Sequence, residues 1–411
     1  MITGDFFTAP VERLAAGGAG LVHIDGQTVF VDYTAPGDLI SLRITEVHTT
    51  WARGELQAVL EPSADRRTPA CSRYGTCGGC SLQHLNYPAQ LREKEGILKE
   101  ALIRIGGISC PPPVKTVPSP EYGYRNRVQF HRIPGTNRLG FKARKSGNIL
   151  PLKDCPVADE GIRQALGAKP HTILPPPGKR RFTVYSRRGV LLCEGKDGPA
   201  PVGLHNRNIL MDPGVFFQSN AAALETLIPD LCAASDRADP SRPMADIYCG
   251  VGTFAAFLGE RFSRIDLVEA DTAALDLARK NVPGSLMRYF PRTDEEWVKE
   301  IRRSPSSCYG FAVADPPRKG LSPSLRQWLG KEGPPLLAYV SCDPATLARD
   351  SAVLRAGGYE LESTTFYDFY PQTPHIETLA IFVRPVKSRI SLYGLRKVSQ
   401  APRGANSHES L

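Results

Sequence analysis

The feature that most constrains the fold is a rhythm in the second half of the chain. From about residue 216, short apolar runs alternate with helical patterns. Met244–Tyr248, Ile265–Val268, Phe311–Ala314 and Leu336–Val340 read as strands, and Ala273–Asn281 has helical spacing. Strands joined through helices become parallel neighbours covered on both faces, so the pattern predicts a doubly wound α/β sheet. Ligands of such sheets bind beyond the carboxyl ends of the strands. The residues just past each apolar run are therefore the first place to look for chemistry.

Four strand ends carry unusual residues. Asp246-Ile-Tyr-Cys-Gly-Val-Gly-Thr-Phe254 runs from a strand through a glycine-rich turn into a helix, and Glu269 closes the next strand, 23 residues after Asp246. Glycines allow close backbone approach to a ligand, and an acid at that spacing suits ribose hydroxyls. The third glycine of a dinucleotide fingerprint is missing, which favours an adenosyl ligand. A turn that needs glycine for geometry alone is the competing reading. Asp315-Pro-Pro-Arg-Lys-Gly320 follows a third strand, and Ser341-Cys342-Asp-Pro344 follows a fourth. Glu377 lies in Pro371-Gln-Thr-Pro-His-Ile-Glu-Thr378, before the apolar run Leu379–Val383. A thiol, a carboxylate and a cofactor pocket together suit alkylation of a poorly nucleophilic ring carbon. A thiolate adds to the neighbouring carbon, and a base later removes a proton so that the thiolate can leave. A buried small hydrophobe is the plain alternative for Cys342, a turn cap for Asp315 and a surface carboxylate for Glu377. Asp-Pro-Pro also occurs in amine methyltransferases, followed by an aromatic; here Arg318 follows.

The first half reads differently. Residues 1–62 hold short strand candidates, Val29–Val31 and Leu39–Leu42, separated by Gly17-Gly18, Asp25-Gly26 and Pro36-Gly37. That is the pattern of a small OB-like barrel. Residues 63–215 form a central, β-rich region. It includes a helix over 91–105, ended by Pro111-Pro112-Pro113, a strand at Arg127–His131 and a loop at Pro175–Gly178. The sheet region spans 216–386, and the basic tail 387–411 reads as mostly disordered.

Of the 10 cysteines, Cys71, Cys77 and Cys80 cluster. In a protein of the cytosol, such clusters bind metal more often than they form disulfides. A fourth ligand is needed, and Cys155, followed by Pro156, is the best candidate. Cys-Pro is a frequent iron–sulfur setting, whereas a four-cysteine zinc site is the direct rival. The formal net charge of +9 favours polyanionic partners. No apolar run is long enough for a membrane span, and the N-terminus does not read as a secretory signal, so a cytoplasmic location is expected.

Together these motifs resemble the bacterial RNA (uracil-5-)-methyltransferase family, especially its iron–sulfur branch acting on 23S ribosomal RNA. The likeness spans about residues 5–385. It implies a TRAM domain at the N-terminus, carried by Gly17-Gly-Ala-Gly20, Val29-Phe-Val31 and Ala35-Pro-Gly37. It implies a Rossmann-like methyltransferase domain at the C-terminus and [4Fe–4S] ligation by Cys71, Cys77, Cys80 and Cys155. It further implies S-adenosylmethionine contacts from Gln218, Tyr248, Thr253, Glu269 and Asp315, with Thr253 standing where some members have Asn. Cys342 matches the family nucleophile and Glu377 its general base. The partner would be structured RNA, with the target uridine flipped out. Tyr124-Arg-Asn-Arg127 reads as an RNA-facing stretch or a solvated strand start. The same reaction on tRNA, a non-catalytic ribosome-assembly factor and an iron–sulfur redox protein are the alternatives. No obligate protein partner is evident, and a monomer is expected.

Overall fold

A computed structural model describes residues 1–136, 138–144, 146–167, 173, 176–303 and 308–385. The tail expected to be disordered, and Pro175 of the proline loop, lie outside the described residues.

The N-terminal strands β1 (Phe6–Pro10), β2 (Arg13–Leu14), β3 (Gly20–Ile24), β4 (Gln27–Val31), β5 (Leu39–Val47) and β6 (Trp51–Glu61) form one sheet, ordered β1-β5-β6-β4-β3-β2. Val22, Val29, Val31, Ile40, Leu42 and Ile44 alternate into its core. Asp25 (φ 48°) and Gly26 (φ 77°) make the tight β3–β4 turn, the left-handed pair that such hairpins require.

Helix α1 (Tyr87–Arg104) starts four residues earlier than the apolar spacing indicates, because Asn86 caps it by accepting from Ala89 N at 2.9 Å. Its apolar face, with Leu98 and Leu102, joins the core beneath the C-terminal sheet. After it comes β7 (Val114–Val117). The central sheet holds β8 (Arg127–Arg132), β9 (Leu139–Lys142) and β10 (Ile149–Pro151), followed by helix α2 (Glu160–Gly167), β11 (Arg181–Arg187) and β12 (Val190–Cys193). Its order is β10-β9-β8-β11-β12, and a hairpin of β13 (Ala200–Leu204) and β14 (Arg207–Met211) follows. The cysteine loop is laced to this sheet: Gly78 N donates to Lys142 O at 3.1 Å, and Arg144 N donates to Thr76 O at 2.9 Å.

Beyond α3 (Ala221–Ser235) the expected alternation appears: β15 (Met244–Ile247), α4 (Thr253–Leu258), β16 (Ile265–Glu269), α5 (Thr272–Asn281), β17 (Met287–Pro291), α6 (Asp294–Arg303), β18 (Phe311–Ala314), α7 (Pro323–Glu332), β19 (Leu336–Ser341) and α8 (Pro344–Ala356). Two further strands, β20 (Glu360–Tyr367) and β21 (Glu377–Val383), complete the sheet in the order β17-β16-β15-β18-β19-β21-β20-β7. β15 to β19 are parallel, and β21 inserts antiparallel to β19. All residues of β18 and β19 are buried, as expected of strands covered on both faces. β7 adds to the far edge, parallel to β20. A stretch that reads from sequence as part of the central region thus belongs to the large sheet. Among the described residues, no helix is long and apolar enough to cross a membrane.

Candidate active site

The chain leaves β15 under strain. Tyr248 has φ 63°, a left-handed conformation that costs energy for a residue with a bulky side chain and must be held by its surroundings. Its hydroxyl donates to Asp294 Oδ2 at 2.7 Å. Gly250 (φ 54°) and Gly252 (φ 78°) follow. A Cβ on Gly250 would meet nothing within 4 Å, whereas one on Gly252 would press Ala278 and Val282 at 3.1 Å. The first glycine therefore faces open space, and the second lets the turn lie against α5. Glu269, at the end of β16, braces the turn: Oε2 accepts from Gly250 N at 3.1 Å and Oε1 from Asp271 N at 2.8 Å. Each oxygen keeps a lone pair for a ligand hydroxyl. Asp246 lies beneath and accepts from Ala255 N at 3.0 Å. Burial, with Asp315 and Glu269 nearby, pushes its carboxyl up to about 7.

The residues expected to react stand on the other side of β15. Asp315 directly follows β18 and accepts from Gln218 Nε2 at 3.3 Å; burial raises its carboxyl to about 7. Cys342 lies between the end of β19 and the start of α8, where Asp343 caps the helix through Thr346 N at 2.8 Å. Glu377 opens β21 rather than preceding it, and is 3% exposed. Its Oε1 is buried without a hydrogen-bond partner. Such a group is costly to leave unpaired. Burial, reinforced by Asp315, holds the Glu377 carboxyl well above its ordinary value. Burial, then Glu377 and Asp315, push the Cys342 thiol up to about 12, with Arg318 opposing.

All seven expected residues, Gln218, Tyr248, Thr253, Glu269, Asp315, Cys342 and Glu377, line one cavity of about 870 Å³. The sequence reading missed others. Asp294, at the start of α6, receives both Tyr248 and Ser322 N. Tyr370 and His375 face the cavity from the loop before β21. Phe216, 61% exposed, lines it under the Arg127 guanidinium at 5.8 Å. For Phe216 the signal was available in the Phe-Phe-Gln-Ser-Asn run; for Asp294 only the sheet order supplies it. Of the expected RNA-facing stretch, Tyr124 and Asn126 are buried instead. Tyr124 donates to Pro371 O at 2.8 Å, and Arg125 lines the cavity.

Cys71, Cys77, Cys80 and Cys155 share a second cavity of about 140 Å³. Gly79 and Arg125 line both cavities. As the side chains stand, no group of three or more His, Cys, Asp or Glu among the described residues is arranged to hold a metal ion. Cys110 and Cys308 are exposed.

The family description of the TRAM domain matches residues 3–57. An uncharacterized RNA methyltransferase of Treponema denticola is 31% identical, covering 87% of this chain and 94% of its own. The 23S rRNA (uracil(1939)-C(5))-methyltransferase RlmD of Pseudomonas entomophila is 30% identical, covering 90% of this chain and 92% of its own. The chain belongs to the RNA (uracil-5-)-methyltransferase family. A solved structure with the same fold is the Pyrococcus abyssi tRNA (uracil-54, C5)-methyltransferase in complex with S-adenosyl-L-homocysteine. It has a TM-score of 0.69 and 24% identity, covering 92% of this chain and 100% of its own. The enzyme is thus a Rossmann-like methyltransferase with a TRAM barrel in front.

Proposed function

We propose that this methyltransferase transfers a methyl group from S-adenosylmethionine to C5 of a uridine in 23S ribosomal RNA, through a covalent adduct with Cys342. The observation that carries the reading is that Cys342 and Glu377, whose buried Oε1 has no hydrogen-bond partner, line one cavity. The Cys342 thiolate adds to C6, and the electron pair of the C5=C6 bond becomes available at C5. The donor supplies an electrophilic methyl group and leaves as S-adenosylhomocysteine. Glu377 then takes the C5 proton. The freed electron pair restores the double bond and expels the thiolate. A carboxylate with raised proton affinity is the better base for this step, and Arg318 is the cation that steadies the thiolate.

Gln218, Tyr248, Thr253, Glu269 and Asp315 would hold the donor, Glu269 through the ribose hydroxyls. The open face at Gly250 and the acidic floor suit a cationic sulfonium. The barrel of residues 1–62 and the central region of 63–215 would grip RNA, while 216–386 does the chemistry, in a cytoplasmic monomer. The net charge of +9 supports a polyanionic partner.

Cys71, Cys77, Cys80 and Cys155 would hold a [4Fe–4S] cluster, with zinc as the rival. Four thiols on one small cavity support the assignment, together with the Cys155–Pro156 step. The reaction needs no electron transfer, so the group would shape the RNA-binding surface. Anaerobic purification with metal analysis decides between the two: four irons per chain, lost on Cys155→Ser, are expected for a cluster.

Mass spectrometry of rRNA and tRNA nucleosides from cells with and without the gene tests the function. Loss of 5-methyluridine from 23S rRNA is expected. Loss from tRNA alone would keep the chemistry and change the substrate. No loss from either would overturn the reading.

A further inference from the structure

The loop that delivers Glu377 is held at its centre from outside the sheet that carries it. It runs from Asp368 to Ile376, between β20 and β21, and its centre is Gln372. This residue is fully buried, with φ 68°. A non-glycine residue keeps such a conformation only where its neighbours over-determine it, and here they do.

The backbone N–H of Gln372 donates to Gln90 Oε1 at 2.9 Å. Its carbonyl accepts from Ser81 N and Leu82 N, both at 3.0 Å. The side-chain Oε1 accepts from Gln90 Nε2 at 3.0 Å and Arg67 Nη2 at 3.1 Å. Nε2 donates to Glu121 Oε2 at 3.2 Å. Every polar group of the residue is used, and every partner lies outside the C-terminal region. Ser81 and Leu82 directly follow Cys80, so the cysteine loop itself grips the base loop.

Neighbouring contacts run the same way. Lys94 Nζ donates to Tyr370 O at 3.0 Å, and Tyr124 holds Pro371 O at 2.8 Å. A Cβ at Gly18 of the N-terminal barrel would meet Pro374 at 3.0 Å, so the barrel also abuts the loop.

We propose that Gln372 is a positioning residue for Glu377, tying the removal of the C5 proton to the conformation of the cysteine loop. The inference rests on the assignment of Glu377 as base. If the tie is loosened, Cys342 can still add to C6 and the methyl group can still transfer. The C5 proton then stays in place, the C5=C6 bond does not re-form, and the thiolate is not expelled. The enzyme should stall on methylated RNA.

The test compares the full-length wild type with Glu377→Gln, Gln372→Asn and Gln372→Glu, using S-adenosylmethionine and a transcript of the RNA identified by the nucleoside experiment. Asn tolerates the left-handed backbone and keeps an amide; Glu keeps the length but loses the donor toward Glu121. S-adenosylhomocysteine binding and thermal unfolding confirm that each variant is folded. The readouts are the protein–RNA adduct surviving denaturing gel electrophoresis, and kcat separately from KM for RNA. Both Gln372 variants should lower kcat about tenfold, leave KM within about twofold, and raise the adduct fraction as Glu377→Gln does.

Wild-type kcat in folded Gln372 variants would overturn the proposal. So would a parallel loss of adduct and methyl transfer, which a merely structural role predicts. Failure of Glu377→Gln itself to accumulate adduct would bring down the base assignment, and the proposal with it. Adduct in Glu377→Gln but not in the Gln372 variants would bring down the positioning role alone.

Discussion

Cys342 and Glu377 stand one step beyond the last paired residues of β19 and β21, where Ser341 lies opposite Thr378. Continuing that antiparallel register sets the thiol-bearing residue across from the carboxylate-bearing one. Residues facing each other this way lie roughly 5 Å apart at Cα, close enough for both side chains to reach one bound ring. The inserted antiparallel strand is therefore what brings Cys342 and Glu377 together. A parallel strand in its place would carry its amino-terminal residue to the opposite edge of the sheet.

If Cys342 forms the adduct, Cys342→Ala should lower single-turnover methyl transfer by on the order of 10³-fold or more. S-adenosylhomocysteine binding, followed by calorimetry, should change less than about twofold, because Cys342 is not among the proposed donor contacts. Retained turnover would remove the thiol from the mechanism.

Glu269 does two jobs, bracing Gly250 and facing the cavity. Glu269→Ala should weaken S-adenosylhomocysteine binding by roughly 10- to 100-fold, the loss expected for hydrogen bonds to a charged group. The same titration checks it, and an unchanged affinity would place the ribose elsewhere.

Burial raises the Asp246 carboxyl from its ordinary 3.8 to about 7. Between those values the unfolded chain ionises and the native one does not. Rising pH therefore favours unfolding across about pH 4 to 7, and the contribution levels off above. Asp246→Asn lacks this titration. In ligand-free protein, its stability relative to wild type should climb across that window by an amount of order a few kcal/mol. Denaturant melts at several pH values measure the difference; a flat difference would contradict the burial.

Lys94 and Asp368 are both fully buried and meet at 2.7 Å. Removing one partner leaves an uncompensated charge, so Lys94→Met should cost about 3–5 kcal/mol in urea unfolding. Replacing both, as Lys94→Met with Asp368→Leu, should recover most of the loss, since apolar substitutes carry no desolvation penalty. A double variant as unstable as the single one would show that the pair does more than neutralise itself.

The alternation of β15 to β19 with their helices was legible because it is local. Phe311–Ala314 is an unbroken apolar run since both faces of its strand are covered, and Gly252 suits a left-handed turn (φ 78°) that lies tight against α5. Cys342 and Glu377 stood out because their residue types are chemically odd beside strand ends. What the pattern could not show was the course of Val114–Val117, which reads like any short strand yet pairs with β20, about 250 residues away. Nor could it show that Tyr124 and Asn126 point inward, since a polar residue at a strand start carries no mark of its future partner.

The sequence by itself determined the class of the catalytic sheet, the glycine turn, the thiol and the carboxylate, since each is written in periodicity or residue chemistry within a few positions. Only the tertiary structure decided that the cysteine loop and α1 close around Gln372, that the barrel abuts the same loop at Pro374, and that Arg125 lines both cavities. Those contacts join segments hundreds of residues apart. They arise from where whole elements find apolar cover, as α1 does beneath the C-terminal sheet, and no local pattern encodes which surface will supply it.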